Sequence, residues 1–183
     1  RYFKRNGMVT NIETYVAKTN DLLKAAKYTF GVDGKMMKWE GLHEDLNGDL
    51  CYYVDYAKNY AGLVKVDGDY YYIASDLKAV KNGLYYVTKT NGLKPAGYYT
   101  FDVNGKMVIK QDGLTEENGD LYYYQDGAKT AAGLIEWEGN YYYIVSNLKA
   151  VKNARHYVFA DKANGLKPAG WYWFNEDGTM FLD

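Results

Sequence analysis

The sequence repeats itself, and this repetition limits the possible folds more than any other feature of the chain. Three segments occur twice, 71 to 73 residues apart: LKAVKN (Leu77–Asn82 and Leu148–Asn153), NGLKPAG (Asn91–Gly97 and Asn164–Gly170), and GDYYYI with its near-copy GNYYYI (Gly68–Ile73 and Gly139–Ile144). Internal repetition at a nearly fixed period is typical of repeat proteins, in which each unit buries its apolar face against neighbouring units.

A fainter third copy precedes these two, because Thr14–Phe30 aligns with Tyr85–Phe101. The sequence therefore predicts one continuous module made of two full repeats of about 72 residues and a partial one. Its four predicted segments are the tail of a preceding repeat (residues 1–30), two full repeats (31–101 and 102–174), and the start of another hairpin or a cap (175–183).

Turn residues indicate what each repeat contains. Of the 19 glycines, twelve follow Asn or Asp, and the clusters of the 22 tyrosines lie between these dipeptides. Asn-Gly and Asp-Gly favour the type I′ turn of a two-residue β-hairpin, and aromatic residues favour strands. The predicted fold class is all-β: a repetitive β-hairpin solenoid with little helix. The segments SDLKAVKN and SNLKAVKN could form at most one short helical turn.

Charge and composition exclude several classes of partner. The formal net charge is −1 with acidic and basic residues interspersed, so we expect no nucleic-acid partner, which would require a basic stripe. No apolar run is long enough for a transmembrane segment. The chain begins RYFKRNGM without an initiator Met, so we expect a fragment, in which a missing secretion signal carries no information.

The sequence offers little for catalysis. The two histidines, His43 and His156, have no counterpart in the other copy, and Cys51 is the single cysteine, which we expect to be a small buried hydrophobe. The acidic pair Glu116–Glu117 and the segment DLNGD at Asp45–Asp49 are interpreted as acidic hairpin turns, in preference to an acid/base pair or a calcium loop. We therefore expect no enzyme, no cofactor and no metal site.

The tyrosine triplets are the strongest candidates for a binding surface. Side chains alternate along a strand, so Tyr70 and Tyr72 share one face while Tyr71 and Ile73 share the other. The Tyr-Ile face is expected in the core, and Tyr142 and Ile144 repeat it. The opposite face, with Tyr141 and Tyr143 in the second copy, is expected to stack on sugar rings. The alternative is that these rings only seal one hairpin against the next.

Four tryptophans complete the candidate site. Trp171 and Trp173 share a strand face and could form either a stacking platform or a cap. Trp39 and Trp137 stand singly beside glutamates, an arrangement found in sugar sites but also on protected edge strands.

Three segments carry a resemblance to a known family: KYTFGVDGKM (Lys27–Met36), GYYTFDVNGKM (Gly97–Met107) and GWYWFNEDGTM (Gly170–Met180). They resemble the cell-wall-binding repeats of Gram-positive surface proteins, a superfamily that includes choline-binding modules, glucan-binding repeats and clostridial toxin repeats. The resemblance implies a β-hairpin solenoid that holds ligands between successive hairpins.

One difference between this sequence and the choline-binding repeats concerns the ligand. Where the choline-binding version has a cage tryptophan, this chain has leucines: Leu42, Leu63, Leu114 and Leu134. A quaternary ammonium needs several rings around it, so this difference argues against choline. We expect a non-catalytic module, secreted or attached to the cell surface, that binds cell-wall polymer or another surface glycan. The alternative is a structural or adhesive stalk without a glycan ligand of its own.

Overall fold

The computed structural model describes residues 1–182 and confirms the all-β class, since strands and tight turns make up the chain apart from one 3-10 turn at Ala160–Lys162. No helix in this part of the chain is long and apolar enough to cross a membrane. The strands, in chain order, are β1 (Phe3–Lys4), β2 (Gly7–Met8), β3 (Ile12–Val16), β4 (Ala26–Phe30), β5 (Gly41–Glu44), β6 (Leu50–Tyr53), β7 (Gly62–Val66), β8 (Asp69–Ile73), β9 (Gly83–Val87), β10 (Gly97–Phe101), β11 (Gly113–Glu117), β12 (Asp120–Gln125), β13 (Ala128–Lys129), β14 (Gly133–Trp137), β15 (Asn140–Ile144), β16 (Ala154–Val158) and β17 (Gly170–Phe174).

The chain folds into two compact units. The first comprises residues 1–96 and 100–108, and the second comprises residues 97–99 and the chain from Ile109 onward. The three hairpins from β5 to β10 recur from β11 to β17, where the two-residue strand β13 is added. The repeat boundaries placed by sequence remain a prediction.

In the first unit, consecutive strands pair as antiparallel hairpins: β1–β2, β3–β4, β5–β6 and β7–β8. Strand β9 lies beside β10, of which Thr100 and Phe101 belong to this unit. One core cluster joins apolar residues of successive hairpins and consists of Val9, Val16, Ala26, Tyr28, Phe30 and Ala57.

In the second unit, β11, β12, β13 and the start of β10 form an antiparallel sheet, followed by the hairpins β14–β15 and β16–β17. The hairpin β14–β15 is covered on both faces. Ile135 and Ile144 form a core cluster with residues of β11 and β12, whereas Leu134 and Tyr143 form another with Val158 and Phe174 of the next hairpin. The hairpin β14–β15 is therefore an internal layer of the second unit.

The Asn-Gly and Asp-Gly signals are confirmed where strands adjoin directly. Asp67-Gly68, Asn118-Gly119 and Asp126-Gly127 form the two-residue turns of β7–β8, β11–β12 and β12–β13, with positive φ at both positions. Other such dipeptides serve different purposes. Asn82-Gly83 and Asp112-Gly113 each lead into a strand.

Each LKAVKN segment begins within a tight turn, and the short helical turn that the sequence allowed does not form. Leu77 and Leu148 adopt φ values of 69° and 72°, in the left-handed region, and take the place that Gly105 and Gly178 occupy in the equivalent turns. The Leu77 amide donates to the carbonyl of Ala74 at 2.9 Å, and an isolated bridge between Ile73 and Ala79 follows. This local hydrogen bonding replaces the helical alternative.

These tight turns join consecutive hairpins. The residue after each turn donates its amide to the second strand of a preceding hairpin: Ala79 to Leu50 at 2.7 Å, Met107 to Tyr70 at 2.8 Å, Ala150 to Leu121 at 2.8 Å, and Met180 to Tyr141 at 2.7 Å. In three of the four cases the turn lysine also forms an ion pair with an aspartate at or directly before the start of the same strand: Lys78–Asp49, Lys106–Asp69 and Lys149–Asp120.

Each unit also buries one lysine. Lys58 contacts Asp45 at 2.7 Å and Glu13 at 3.2 Å, while Lys129 contacts Glu117 at 2.6 Å. Burial alone would lower the pKa of Lys58, but the hydrogen bond to Asp45 and the nearby negative charges raise it. The close carboxylates therefore keep the buried Lys58 charged.

Candidate functional site

The hairpin β16–β17 presents an exposed aromatic face. Arg155 pairs with Trp173 and Tyr157 pairs with Trp171 in the strand register, so these four side chains lie on the same side. Trp171 is 60% exposed and Trp173 is 47% exposed, whereas Phe174 on the opposite side is fully buried. Alternation along the strand thus places the two tryptophans together, as expected from their spacing.

Ring contacts hold this face in one arrangement. The rings of Tyr157 and Trp171 meet edge to face with centroids 5.6 Å apart, and Phe159 lies 5.0 Å from Tyr157. The Arg155 guanidinium lies 5.4 Å from the centroid of the Trp171 ring. Despite these contacts, more than half of Trp171 stays exposed to solvent.

A groove of about 590 Å³ runs along this face, and we call it the Trp171 groove. It is lined by Arg155, Lys167, Trp171, Tyr172, Trp173, Phe181 and Leu182. Tyr172 is held by a hydrogen bond from its hydroxyl to the Pro168 carbonyl at 2.8 Å. The Lys167 ammonium lies 4.4 Å from the centroid of the Tyr141 ring, so this lysine connects the groove to the preceding hairpin of the same unit.

The remaining tyrosines proposed from sequence have neighbours over their rings. Tyr70 is half-buried, with the ammonium groups of Lys65 and Lys94 at 5.3 and 5.5 Å from its centroid. Tyr72 is half-buried and its ring stacks on Phe101 at 6.4 Å. These two rings contribute to packing between hairpins, and their role in ligand binding remains a prediction.

The expectation that Tyr143 is an exposed ring was wrong. Its side chain is only 4% exposed, because Phe174 and His156 lie against it at 6.1 and 5.2 Å. On the opposite strand face, Ile73 and Ile144 are fully buried, as expected of core residues. Tyr71 and Tyr142, expected in the core, are only half-buried. The physical reason is that β14–β15 packs against a neighbouring hairpin on each face, so neither of its faces is wholly exposed.

The two single tryptophans also pack against the protein. Trp39 stacks on His43 at 5.8 Å and meets the edge of Tyr53 at 5.2 Å. Trp137 meets Tyr123 edge to face at 6.2 Å, and its ring lies so close to Gly113 that a Cβ there would clash. Of the eight aromatic residues chosen from sequence, Trp171 and Trp173 line one groove, and Tyr141 contacts Lys167, which also lines it.

Arg155, Tyr157 and Lys167 were missed by sequence reasoning. The hairpin register could have revealed Arg155, since pairing β16 with β17 places it opposite Trp173. No group of three or more His, Cys, Asp or Glu side chains that could hold a metal ion occurs within residues 1–182.

Comparison with known proteins supports the fold. No family model matches the sequence, and no curated protein matches it. The structure is similar to choline binding protein F from Streptococcus pneumoniae, with a TM-score of 0.56 and 22% identity over 96% of this chain and 49% of that one. It is also similar to CbpJ from the same species, with a TM-score of 0.53 and 19% identity over 99% and 62% of the two chains.

A third similar structure is the modular autolysin LytC from Streptococcus pneumoniae, with a TM-score of 0.52 and 16% identity over 98% of this chain and 36% of that one. The chain spans about half the length of the solved proteins that it matches. At these identities the likeness concerns the fold, which is the repetitive β-hairpin fold of choline-binding repeat proteins. This confirms the architecture that the sequence resemblance implied.

Proposed function

We propose that this chain is a non-catalytic module that binds a carbohydrate of the cell wall or cell surface through the Trp171 groove. The observation that carries the proposal is the pair of exposed tryptophans, Trp171 and Trp173, held on one strand face beside Arg155 and Lys167. Flat aromatic rings stack on the apolar faces of sugars, while adjacent donors hydrogen-bond the hydroxyls.

The proposed location follows from this role. A wall-binding module acts outside the cell, so we propose that the parent protein is secreted or attached to the surface. Similarity to proteins named for choline binding and to an autolysin is consistent with this setting.

Choline itself is a poor fit to this chain. Leu63 and Leu134, at the positions of the cage tryptophan, are fully buried. The Trp171 groove contains the cationic side chains of Arg155 and Lys167, which would repel a quaternary ammonium. Both observations favour a sugar over choline as the stacking partner.

Co-sedimentation with insoluble Gram-positive cell walls and with insoluble polysaccharides tests the proposal. We expect the double variant W171A/W173A to bind roughly tenfold more weakly, because each stacked ring contributes about 0.5–1.5 kcal/mol. Circular dichroism should show the fold unchanged, since both side chains are exposed.

Tyr15→Ala is the matched control. This ring is 57% exposed on β3 and lies outside the groove, so its loss should leave retention unchanged. Equal retention of W171A/W173A and the unaltered chain would refute the groove. If no wall or polysaccharide retains the unaltered chain, the binding proposal is refuted and the stalk alternative is favoured.

A further inference from the structure

The Trp171 groove carries charge of one sign. Its charged lining residues within the described chain are Arg155 and Lys167, both cationic. The whole protein has a formal net charge of −1, so this groove is a local concentration of positive charge on a nearly neutral molecule. Cationic side chains grouped in one groove raise the local concentration of anions.

Both cations are available to a ligand. Among residues 1–182 neither has a carboxylate partner within ion-pair distance: Arg155 lies over the Trp171 ring and Lys167 lies over the Tyr141 ring. Other lysines differ, since Lys78, Lys106 and Lys149 each pair with an aspartate. A guanidinium stacked on an indole keeps the donors along its edge, which match the oxygens of a carboxylate or phosphate.

This combination is specific to the hairpin β16–β17. In the equivalent hairpins, the position of Arg155 is occupied by Glu13 and Leu84, and the position of Trp173 is occupied by Thr29 and Thr100. Glu13 is already used as a partner of the buried Lys58. The cation and the second tryptophan therefore occur together only here among the three equivalent hairpins.

We propose that the Trp171 groove binds an anionic glycan: a sugar ring stacks on Trp171 or Trp173, and the carboxylate or phosphate of the same polymer contacts Arg155 and Lys167. This inference rests on the proposed function, because it names the substrate class of the same groove. Uronic acids and sugar or polyol phosphates share the chemistry that the groove recognises.

Binding to three soluble polymers tests this inference: a polyuronate, a poly(glycerol phosphate) and a neutral glucan, each measured by affinity electrophoresis or calorimetry at low and moderate salt. We expect at least one anionic polymer to bind more tightly than the neutral glucan, and salt to weaken its binding. Comparison of the polyuronate with the polyphosphate then tells which anion is preferred.

Charge-removing variants assign the effect to the groove. R155Q and K167Q should each weaken binding of the anionic polymer about threefold to fivefold, the size expected of an exposed ion pair. K35Q is the control, because this substitution changes the net charge by the same amount. Lys35 pairs with Asp33 within its own turn and does not line the groove. This substitution should leave the affinity unchanged.

The failure of this inference can be told apart from the failure of the proposed function. If the neutral glucan binds as tightly as the anionic polymers, and only W171A/W173A weakens it, the groove is a neutral-sugar site and the charge inference is wrong. If K35Q weakens the affinity as much as R155Q, the effect comes from net charge and the inference is also wrong. If no polymer binds, both proposals fail.

Discussion

The buried ion pair between Lys129 and Glu117 allows a quantitative prediction. The Lys129 ammonium lies 2.6 Å from Glu117, and the two side chains are 9% and 25% exposed. Burial would raise the pKa of Glu117, but hydrogen bonds from Lys129, Tyr124 and Lys110 lower it from 4.5 to about 2. We therefore expect Lys129→Met to destabilise the second unit substantially while preserving the apolar stem of the side chain.

The magnitude follows from the pKa of Glu117. Lowering the pKa of Glu117 from 4.5 to about 2 corresponds to roughly 3.5 kcal/mol of stabilisation of the carboxylate, since a tenfold change in the proton equilibrium is about 1.4 kcal/mol. Lys129 is the strongest of three donors, so its removal should cost about 2 kcal/mol in the free energy of unfolding. Breaking a fully buried pair costs about 3–5 kcal/mol, and Glu117 here is partly exposed and retains two partners.

The pH dependence provides a second test. Because the folded pKa of Glu117, about 2, lies below the unfolded value of 4.5, its stabilisation is present above pH 4.5 and is lost as the pH falls towards 2. In Lys129→Met the folded pKa should move back towards 4.5. The variant should therefore lose less stability than the unaltered chain between pH 4.5 and pH 2.

Urea unfolding followed by circular dichroism, at neutral pH and at several acidic values, measures both effects. Lys149→Met is the control, since the Lys149–Asp120 pair is about 40% exposed on each side chain and should contribute at most about 1 kcal/mol. The reasoning is refuted if Lys129→Met matches the unaltered chain within about 0.5 kcal/mol at neutral pH and shows the same acid dependence.

Two further predictions concern the first unit. Leu77→Val should lower the free energy of unfolding by about 1–2 kcal/mol in thermal unfolding, because a β-branched residue is strained at φ 69°. Leu77→Gly should change it far less. Equal effects of the two substitutions would contradict the argument from backbone strain. Cys51 is fully buried, and burial raises the pKa of its thiol to about 11. A disulfide reagent at pH 8 should label it at least about 100-fold more slowly in the folded chain than in urea, and rapid labelling would contradict its burial.

Sequence reasoning predicted the fold well because the signals for hairpins are local. Asp67-Gly68 and Asn118-Gly119 specify their turns through the conformations that these residues accept, and the shared face of Trp171 and Trp173 follows from strand alternation alone. The repeat then implies that each hairpin is packed against others. These properties need no knowledge of distant contacts.

The features that were missed depend on contacts between hairpins. Tyr143 is buried by Phe174, which lies about thirty residues further along the chain, and the buried Lys58 pairs with Glu13 of β3 and with Asp45 of the loop between β5 and β6. Local propensity favours neither outcome, and tertiary packing decides both. The left-handed Leu77, by contrast, belongs to a local turn that bridges Ile73 to Ala79.

The hydrogen bonds and ion pairs that connect a turn to an earlier hairpin, which we call joints, have a consequence for how such a chain can evolve. The amides of Ala79 and Ala150, and the ion pairs Lys78–Asp49 and Lys149–Asp120, each connect a turn to a strand about thirty residues earlier. Every joint is thus encoded within a stretch of sequence shorter than one repeat. Duplicating or deleting a repeat copies or removes complete joints and leaves the others intact, so gene rearrangement can alter the number of hairpins without new packing having to arise.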